Sequence, residues 1–179
     1  MTNIPKDPNE VVEAAMAFEL EGRKILINAG AKAVDPLSKA TFEYLANQEL
    51  NHIEAIKAFA ESLAGTGSFD PNALGKPLTK LEAREGIQGI FARFKAQYEA
   101  TAGKEDERQE VYKAAMDMER CGHDFYQCAA EQSADETSRK LFSFLMDEET
   151  KHFDIIQETA EFLKQPDAIM AVEERWMQF

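Results

Sequence analysis

The strongest constraint on the fold is an internal repeat with a period of 100 residues. Residues 10–63 align with residues 110–163 without a gap, and 18 of these 54 positions are identical. A unit of this length holds two helices joined by a short turn. The sequence therefore predicts one helical hairpin that occurs twice in the chain.

Start signals within each unit place the ends of the predicted helices. Asp7 and Pro8 mark the first start, because aspartate caps a helix and proline fits its first turn. Asp35 opens the second helix in the same way, and Asp135 opens its counterpart. Apolar side chains three and four residues apart then give each segment one buried face. The four predicted helices span residues 8–33, 36–63, 106–132 and 136–164.

The order of these elements predicts an all-α fold, a four-helix bundle in which one long crossover joins two hairpins. The crossover, residues 64–104, begins at a break around Gly65. With 179 residues, the chain is long enough for one well-packed core and short for two. Residues 1–179 are therefore expected to form a single domain.

Two segments outside the repeat units have helical signals of their own. A capping pattern from Thr79 to Glu82 predicts an extra helix over residues 80–100. Within the tail, residues 165–179, we expect a short helix over residues 168–179 that docks Trp176 and Phe179 against the bundle.

Composition excludes several classes of partner. A net charge of −13 and a pI near 4.7 argue against nucleic acid and against an anionic membrane surface. No apolar run approaches the roughly 20 residues of a transmembrane helix, and the first residues lack a signal peptide. A cytoplasmic protein is expected. Cys121 and Cys128 lie seven residues apart, which fits ordinary reduced thiols and neither a disulfide framework nor a Cys-x-x-Cys motif.

Two Glu-x-x-His motifs occupy equivalent positions in the two units. Three residues of helix rotate the chain by about 300°, so the carboxylate and the imidazole emerge side by side, one turn apart. Each motif histidine is also preceded, 33 residues earlier, by a further glutamate. The six candidate metal ligands are Glu19, Glu49, His52, Glu119, Glu149 and His152.

The chemistry of this set favours a pair of metal ions. Glu19 and Glu119 lie within apolar stripes, where a charged side chain is costly unless something neutralises it. Four buried carboxylates repel each other, whereas two divalent ions would bring them to neutrality. Mixed carboxylate and imidazole ligation suits two iron ions per chain, with manganese or zinc as substitutes. The alternative is that the glutamates face solvent and the histidines are ordinary core residues.

Other side chains near the motifs have candidate supporting roles. Tyr126 lies two turns after Glu119 and is the candidate catalytic residue, as a donor to a ligand carboxylate; a plain core aromatic is equally natural there. Gln48 and Glu148 each precede a motif glutamate and are candidates to orient a histidine of a neighbouring helix. His123 lies one turn after Glu119, and a solvated position is favoured over metal binding.

A glutamate on the first and third helices, with Glu-x-x-His on the second and fourth, resembles the ferritin-like di-iron carboxylate superfamily. Segments Leu45–His52 and Met118–Tyr126 are more similar to its rubrerythrin branch. The resemblance implies a ferritin-like bundle whose six ligands bind a di-iron centre, and it implies reduction of hydrogen peroxide to water. It also implies a homodimer and a separate electron donor such as a rubredoxin-like protein.

The sequence departs from that family in two respects. Rubrerythrins usually append a rubredoxin domain with two Cys-x-x-Cys motifs, which this sequence lacks. They also carry an extra carboxylate on the third helix, one turn from the ligand glutamate. Met116 and Gly122 occupy the flanking turns here, so that extra ligand is expected to be absent.

Three reactions are compatible with such a site. The first is peroxide reduction with electrons from an external donor. The second is ferroxidase activity, in which ferrous iron is oxidised and then stored or passed on. The third is an oxidase or oxygenase reaction that uses O₂ on an organic substrate. A non-enzymatic metal-binding role is the remaining alternative.

Overall fold

The computed structural model describes residues 5, 7–74 and 105–164, and within them the regular structure is entirely helical. The helices are α1 (Pro8–Lys32), α2 (Pro36–Leu63), α3 (Glu105–Gln132) and α4 (Glu136–Lys164). The predicted fold class, an all-α four-helix bundle, is confirmed. The predicted bounds agree to within one residue at each end, and α1 ends at Lys32 because the backbone of Ala33 is already extended. The predicted helix over 80–100 and the tail 165–179 lie outside the described residues.

Equivalent caps begin the second helix of each hairpin. The Asp35 carboxylate accepts a hydrogen bond from the backbone N–H of Ser38 at 2.8 Å, and Asp135 accepts one from Ser138 at the same distance. These bonds satisfy donors that a helix start leaves without an intrahelical partner. At its other end, α2 ends at Leu63. Two residues later, Gly65 has a φ of 71°, a left-handed conformation that glycine adopts without strain and that ends the helix.

The repeat determines how the helices pack. Helix α1 packs along α2, and α3 packs along α4, so each repeat unit forms one hairpin. The hairpins meet through α2 against α4 and α1 against α3. Among the described helices, none has an apolar stretch that would suffice to cross a membrane.

The core contains two apolar clusters with a polar layer between them. One cluster includes Leu26, Phe42 and Ile156, and the other includes Ile56, Tyr126 and Leu145. On every helix a glutamate lies between members of the two clusters. On α2 and α4 a histidine lies there as well, at the same spacing in both repeat units. Each fully buried large apolar side chain contributes about 1.5–3 kcal/mol, so the two clusters stabilise the bundle above and below this layer.

Hydroxyl groups connect the two hairpins in the cluster that contains Leu26. Tyr112 on α3 donates a hydrogen bond to the Ser38 hydroxyl on α2 at 2.8 Å. The hydroxyls of Thr41 on α2 and Thr159 on α4 lie 3.4 Å apart. A shift of one helix along its neighbour would break both of these contacts between the hairpins.

Candidate metal centre

The polar layer brings together all six side chains that the sequence predicts as metal ligands. Helices α1 and α3 each supply one glutamate, and α2 and α4 each supply a glutamate and a histidine one turn later. Each of these residues has a fractional exposure of 2% or less: Glu19, Glu49, His52, Glu119, Glu149 and His152. The alternative of solvent-facing glutamates is therefore wrong.

His52 points its Nδ1 atom into a group of carboxylates. That nitrogen lies 3.1 Å from Oε2 of Glu49 and 3.3 Å from Oε2 of Glu19. Oε1 of Glu149 lies 3.9 Å away. One imidazole nitrogen thus faces carboxylates from three helices.

His152 occupies the equivalent position on the other side of the layer. Its Nδ1 lies 3.0 Å from Oε1 of Glu49 and 3.7 Å from Oε2 of Glu119. The two imidazole rings are nearly parallel, with their centroids 5.1 Å apart. Ligand atoms from Glu49, His52, Glu149 and His152 all lie within 4.8 Å of one another. Glu49 has one oxygen toward each histidine, so it lies between the two halves of the site.

Several of these buried polar atoms have no hydrogen-bond partner. Both carboxylate oxygens of Glu119 and both ring nitrogens of His152 are in this state, as is Oε1 of Glu149. The 3.0 Å contact between His152 and Glu49 is short, but the two groups are not aligned for a hydrogen bond. Burying an acceptor without a partner costs about 1–3 kcal/mol, and more for a charged group. Convergent lone pairs of this kind fit a bound cation, because a cation satisfies them together.

Crowding changes how the glutamates ionise when no metal neutralises them. Burial, together with the nearby Glu49 and Glu19, raises the pKa of Glu119 to about 8, although its contact with Glu149 acts in the other direction. Burial and the neighbouring Glu119 raise the pKa of Glu149 well above its usual value. Burial and Glu49 do the same to Glu19. In the metal-free site, the carboxyls of Glu19, Glu119 and Glu149 therefore tend to hold protons near neutral pH.

The pKa values of both histidines and of Glu49 shift toward the charged forms of these groups. Burial acts to lower the pKa of His52, but Glu19 and the other carboxylates around the ring more than offset it, and the pKa is raised. The pKa of His152 is raised as well, because Glu49 outweighs the effect of burial. Glu49 is also buried, yet its contacts with Glu19 and with both imidazoles hold its pKa well below the usual value. Without metal, the site is a group of carboxyls and imidazoles that share protons.

Tyr126 contacts the site across the bundle. Its hydroxyl donates a close hydrogen bond to Oε1 of Glu19, which is the equivalent glutamate of the other hairpin rather than Glu119 on its own helix. Burial and the charge on Glu19 raise the pKa of Tyr126 well above its usual value, so the phenol keeps its proton. The equivalent residue of the first hairpin is Leu26, which has no hydroxyl. The two halves of the site are therefore chemically different.

A family model described as Rubrerythrin matches residues 10–160, which is most of the chain and includes all six site residues. The chain belongs to the rubrerythrin family. No curated protein and no solved structure shows significant similarity to it.

Only one of the two predicted histidine-orienting residues contacts a histidine in this rubrerythrin. Glu148 interacts with His52, raises its pKa, and also pairs with Lys151 at 2.8 Å. Gln48, the repeat counterpart of Glu148, accepts a hydrogen bond from Asn51 on its own helix. His123 lies at the surface beside Asp124, as the favoured interpretation of the sequence predicted.

At Gly122, helix α3 lies in close contact with the side chains of Phe18 on α1 and Glu149 on α4. A Cβ atom on Gly122 would lie 2.7 Å from the Phe18 ring and 2.8 Å from Oε2 of Glu149. A side chain at this position would have to displace Phe18 or Glu149, whereas glycine lets Glu149 lie directly against α3. At the equivalent Gly22, a Cβ atom would make ordinary contacts of 3.5 and 3.6 Å with Met118. The sequence showed both glycines, but not that only one of them supports the site.

Gly122→Ala should therefore disturb the site, whereas Gly22→Ala should not. The added methyl group must displace Glu149 or Phe18, at a cost of about 1–3 kcal/mol. Gly22→Ala, the matched control, is expected to be neutral or to stabilise α1 by about 0.5–1 kcal/mol. Thermal melts and iron titrations of both variants measure the difference. Iron binding by Gly122→Ala with wild-type affinity would show that Glu149 does not depend on this contact.

Proposed function

We propose that this chain is a di-iron oxidoreductase that reduces hydrogen peroxide to water with electrons from a separate donor. The observation that carries the proposal is the convergence of four glutamates and two histidines, all buried, with several ligand atoms that have no hydrogen-bond partner. The rubrerythrin match supports the same class of protein.

The donor set fits iron. It contains carboxylate oxygens and imidazole nitrogens, and neither of the two cysteines belongs to it. Such a set favours iron or manganese over metals that prefer thiolate. The residues that would hold two ions are the six named above, with Glu49 between the two histidines. Manganese or zinc can occupy the same donors.

The reaction takes up two electrons and two protons per hydrogen peroxide and gives two molecules of water. When bound, a pair of iron ions supplies the electrons and the Lewis-acid contacts that cleavage of the O–O bond requires. The protein surrounds the ligands with apolar residues, which excludes bulk water. Tyr126 holds Glu19 in position and keeps a proton close to the site. At the equivalent position of the other half, Leu26 has no hydroxyl and provides no such donor.

Electrons for the next turnover come from another protein in this proposal. This sequence has two cysteines, seven residues apart, and no Cys-x-x-Cys motif that would hold a rubredoxin-type iron. A rubredoxin-like protein is the class of donor that we propose, because it carries one electron at a time and would reduce the pair of ions in two steps.

Metal titration followed by rapid mixing tests the proposal. Anaerobic titration with ferrous iron should saturate at two ions per chain. The ferrous protein should then be oxidised by one equivalent of hydrogen peroxide at least tenfold faster than by the same concentration of O₂, as followed by absorbance. The matched control is Glu119→Gln, which removes one carboxylate charge and should lower the stoichiometry.

Other outcomes distinguish the remaining reactions. Saturation at one ion or none would overturn the assignment of the site. Faster oxidation by O₂, with ferric iron released or accumulated beyond two ions per chain, would indicate a ferroxidase. Oxidation by O₂ that an added organic substrate accelerates would indicate an oxidase or oxygenase.

A further inference from the structure

Helices α1 and α3 meet beside the polar layer through two equivalent pairs of residues. Phe18 on α1 lies against Gly122 on α3, and Met118 on α3 lies against Gly22 on α1. We call these four residues the α1–α3 seam. Residues 18 and 118 hold the same position in the two repeat units, and each directly precedes the ligand glutamate of its helix. The seam therefore lies next to the candidate metal ligands, and its two halves can be compared with each other.

The half of the seam at Gly122 is filled by groups that hold one another in place. A Cβ atom on Gly122 would lie 2.7 Å from the Phe18 ring and 2.8 Å from the Glu149 carboxylate. The Phe18 ring stacks on Phe125 with the ring centroids 6.3 Å apart, and it is nearly perpendicular to the Tyr126 ring at the same centroid distance. A ring packed in this way cannot turn aside unless its neighbours move. This half of the seam is closed.

The half of the seam at Gly22 is covered by a single flexible side chain. Among the described residues, the contacts within 4 Å of a Cβ atom placed on Gly22 are both with Met118, at 3.5 Å from its Sδ atom and 3.6 Å from its Cε atom. Methionine is unbranched and has three rotatable side-chain bonds, so its end moves easily. Met118 is also only half-buried. A rotation of this one side chain would open the seam.

The ligand glutamate beside Met118 is less restrained than its counterpart. Both carboxylate oxygens of Glu119 are buried, and neither has a hydrogen-bond partner within the part of the chain that the structure describes. Glu19 instead accepts a hydrogen bond from Tyr126, on the half of the seam that Phe18 closes. Buried acceptors without partners, next to a movable apolar side chain, suit the entry of a small molecule that donates hydrogen bonds.

We infer that Met118 is the gate of the site, through which hydrogen peroxide enters between α1 and α3 at Gly22. The identity of the substrate rests on the proposed function, whereas the position of the gate rests on the packing of the seam. Hydrogen peroxide passes when the thioether turns aside, but a hydroperoxide with a bulky alkyl group is too wide to follow. Met118 is thus a specificity-determining side chain, which selects the substrate by size and takes no part in the chemistry.

The size preference of variants at position 118 tests the gate. An alkyl hydroperoxide takes up two electrons and two protons and gives an alcohol and water, so only the size of the substrate changes. The ferrous protein is mixed with hydrogen peroxide or with tert-butyl hydroperoxide, and its oxidation is followed by absorbance. Met118→Ala should react with tert-butyl hydroperoxide at least about tenfold faster than the wild type, with little change for hydrogen peroxide. Met118→Phe repeats the pairing of the closed half and should slow both reactions about tenfold.

Met116→Ala is the matched control for Met118→Ala. Met116 is also a half-buried methionine of α3, and it packs against the same apolar cluster. It lines a cavity between α3 and α4, however, and does not belong to the α1–α3 seam. The control removes the same side-chain volume and should keep the size preference of the wild type. Circular dichroism and iron analysis check that all three variants are folded and loaded.

Azide binding to the diferric protein measures the gate without turnover. A gate changes the rates of association and dissociation by the same factor and leaves the affinity unchanged, whereas a disturbed ligand set alters the affinity. Met118→Phe should slow both azide rates about tenfold at the affinity of the wild type.

Two results would overturn the gate. One is a set of azide rates and a size preference that neither variant at position 118 changes. The other is a size preference that Met116→Ala alters as much as Met118→Ala does. If the azide rates shift as expected but the wild type reacts slowly with both peroxides, the gate stands and the proposed reaction is wrong.

Discussion

The metal-free protein should become progressively less stable as the pH rises from about 5 to 8. The pKa of Glu119 rises from its ordinary 4.5 to about 8 in the folded chain. Between those values the folded chain keeps a proton that the unfolded chain has released. The unfolding free energy then falls by about 1.4 kcal/mol per pH unit for each such proton.

Other members of the site act in the same direction over this range. The raised pKa values of Glu19 and Glu149 add to the effect, and these carboxyls titrate together with Glu119 as one group. The raised pKa values of His52 and His152 stabilise the fold at low pH, and that stabilisation is lost as the pH rises through them. The lowered pKa of Glu49 matters only below about pH 4.5, where protonation of Glu49 removes its contribution.

The iron-loaded protein should show the opposite trend. Ligands bind metal in their deprotonated forms, so protons compete with the ions and weaken binding as the pH falls. Urea unfolding of metal-free and ferrous-loaded protein, at several pH values and without oxygen, measures both curves. The control is metal-free Glu119→Gln, which should have a shallower slope because it lacks one titrating carboxyl. A metal-free profile that is flat, or that rises toward pH 8, would contradict a buried group of protonated carboxyls.

Tyr126→Phe should slow peroxide reduction by about 10–150-fold without loss of iron. The change removes the hydrogen bond from the phenol to Glu19 and leaves the ring in its apolar cluster. A hydrogen bond to a charged group contributes about 1.5–3 kcal/mol, and its full loss in the transition state gives that range of rates. Oxidation by O₂ should be less affected if it does not need a proton at this position.

Tyr112→Phe is the matched control for that experiment. Tyr112 is also a buried tyrosine on α3, but its hydroxyl donates to Ser38 in the apolar cluster on the other side of the polar layer. This variant should lose some stability and keep the peroxide rate of the wild type. Single-turnover mixing with peroxide, together with iron analysis, compares the two variants. An unchanged rate in Tyr126→Phe would show that Tyr126 is only a core side chain.

The repeat made the helices and the convergence of the site predictable from the sequence. The gapless alignment of residues 10–63 with residues 110–163 gives two copies of one hairpin. The Glu-x-x-His spacing places two donors on one face of a helix. In each copy the motif glutamates lie within an apolar stripe, where charge is costly unless it is neutralised. This indicates that the two hairpins meet along these stripes. The starts of α2 and α4 were predicted to the residue because Asp35 and Asp135 cap them with short hydrogen bonds.

The contacts between hairpins could not be predicted in the same way. Periodicity gives the face of a helix on which a residue lies, but not its position along the axis of the neighbouring helix. For this reason the sequence did not indicate that Tyr126 donates to Glu19 rather than to Glu119. It also did not distinguish Gly122, which lies against Glu149, from Gly22, which has ordinary space around it. At the two glycines, the distances from the added Cβ atom to its nearest neighbour differ by less than 1 Å.

Fusion of two hairpins into one chain allows each half of the site to evolve separately. If the bundle assembled from two identical short chains, one gene would encode both halves and every substitution would occur in both. Here position 26 is a leucine and position 126 is a tyrosine, so this position of the repeat supplies a phenol to Glu19 and none to its counterpart Glu119. Two iron ions bound in such surroundings would differ in reduction potential, and their Mössbauer spectrum would contain two distinct signals of equal intensity.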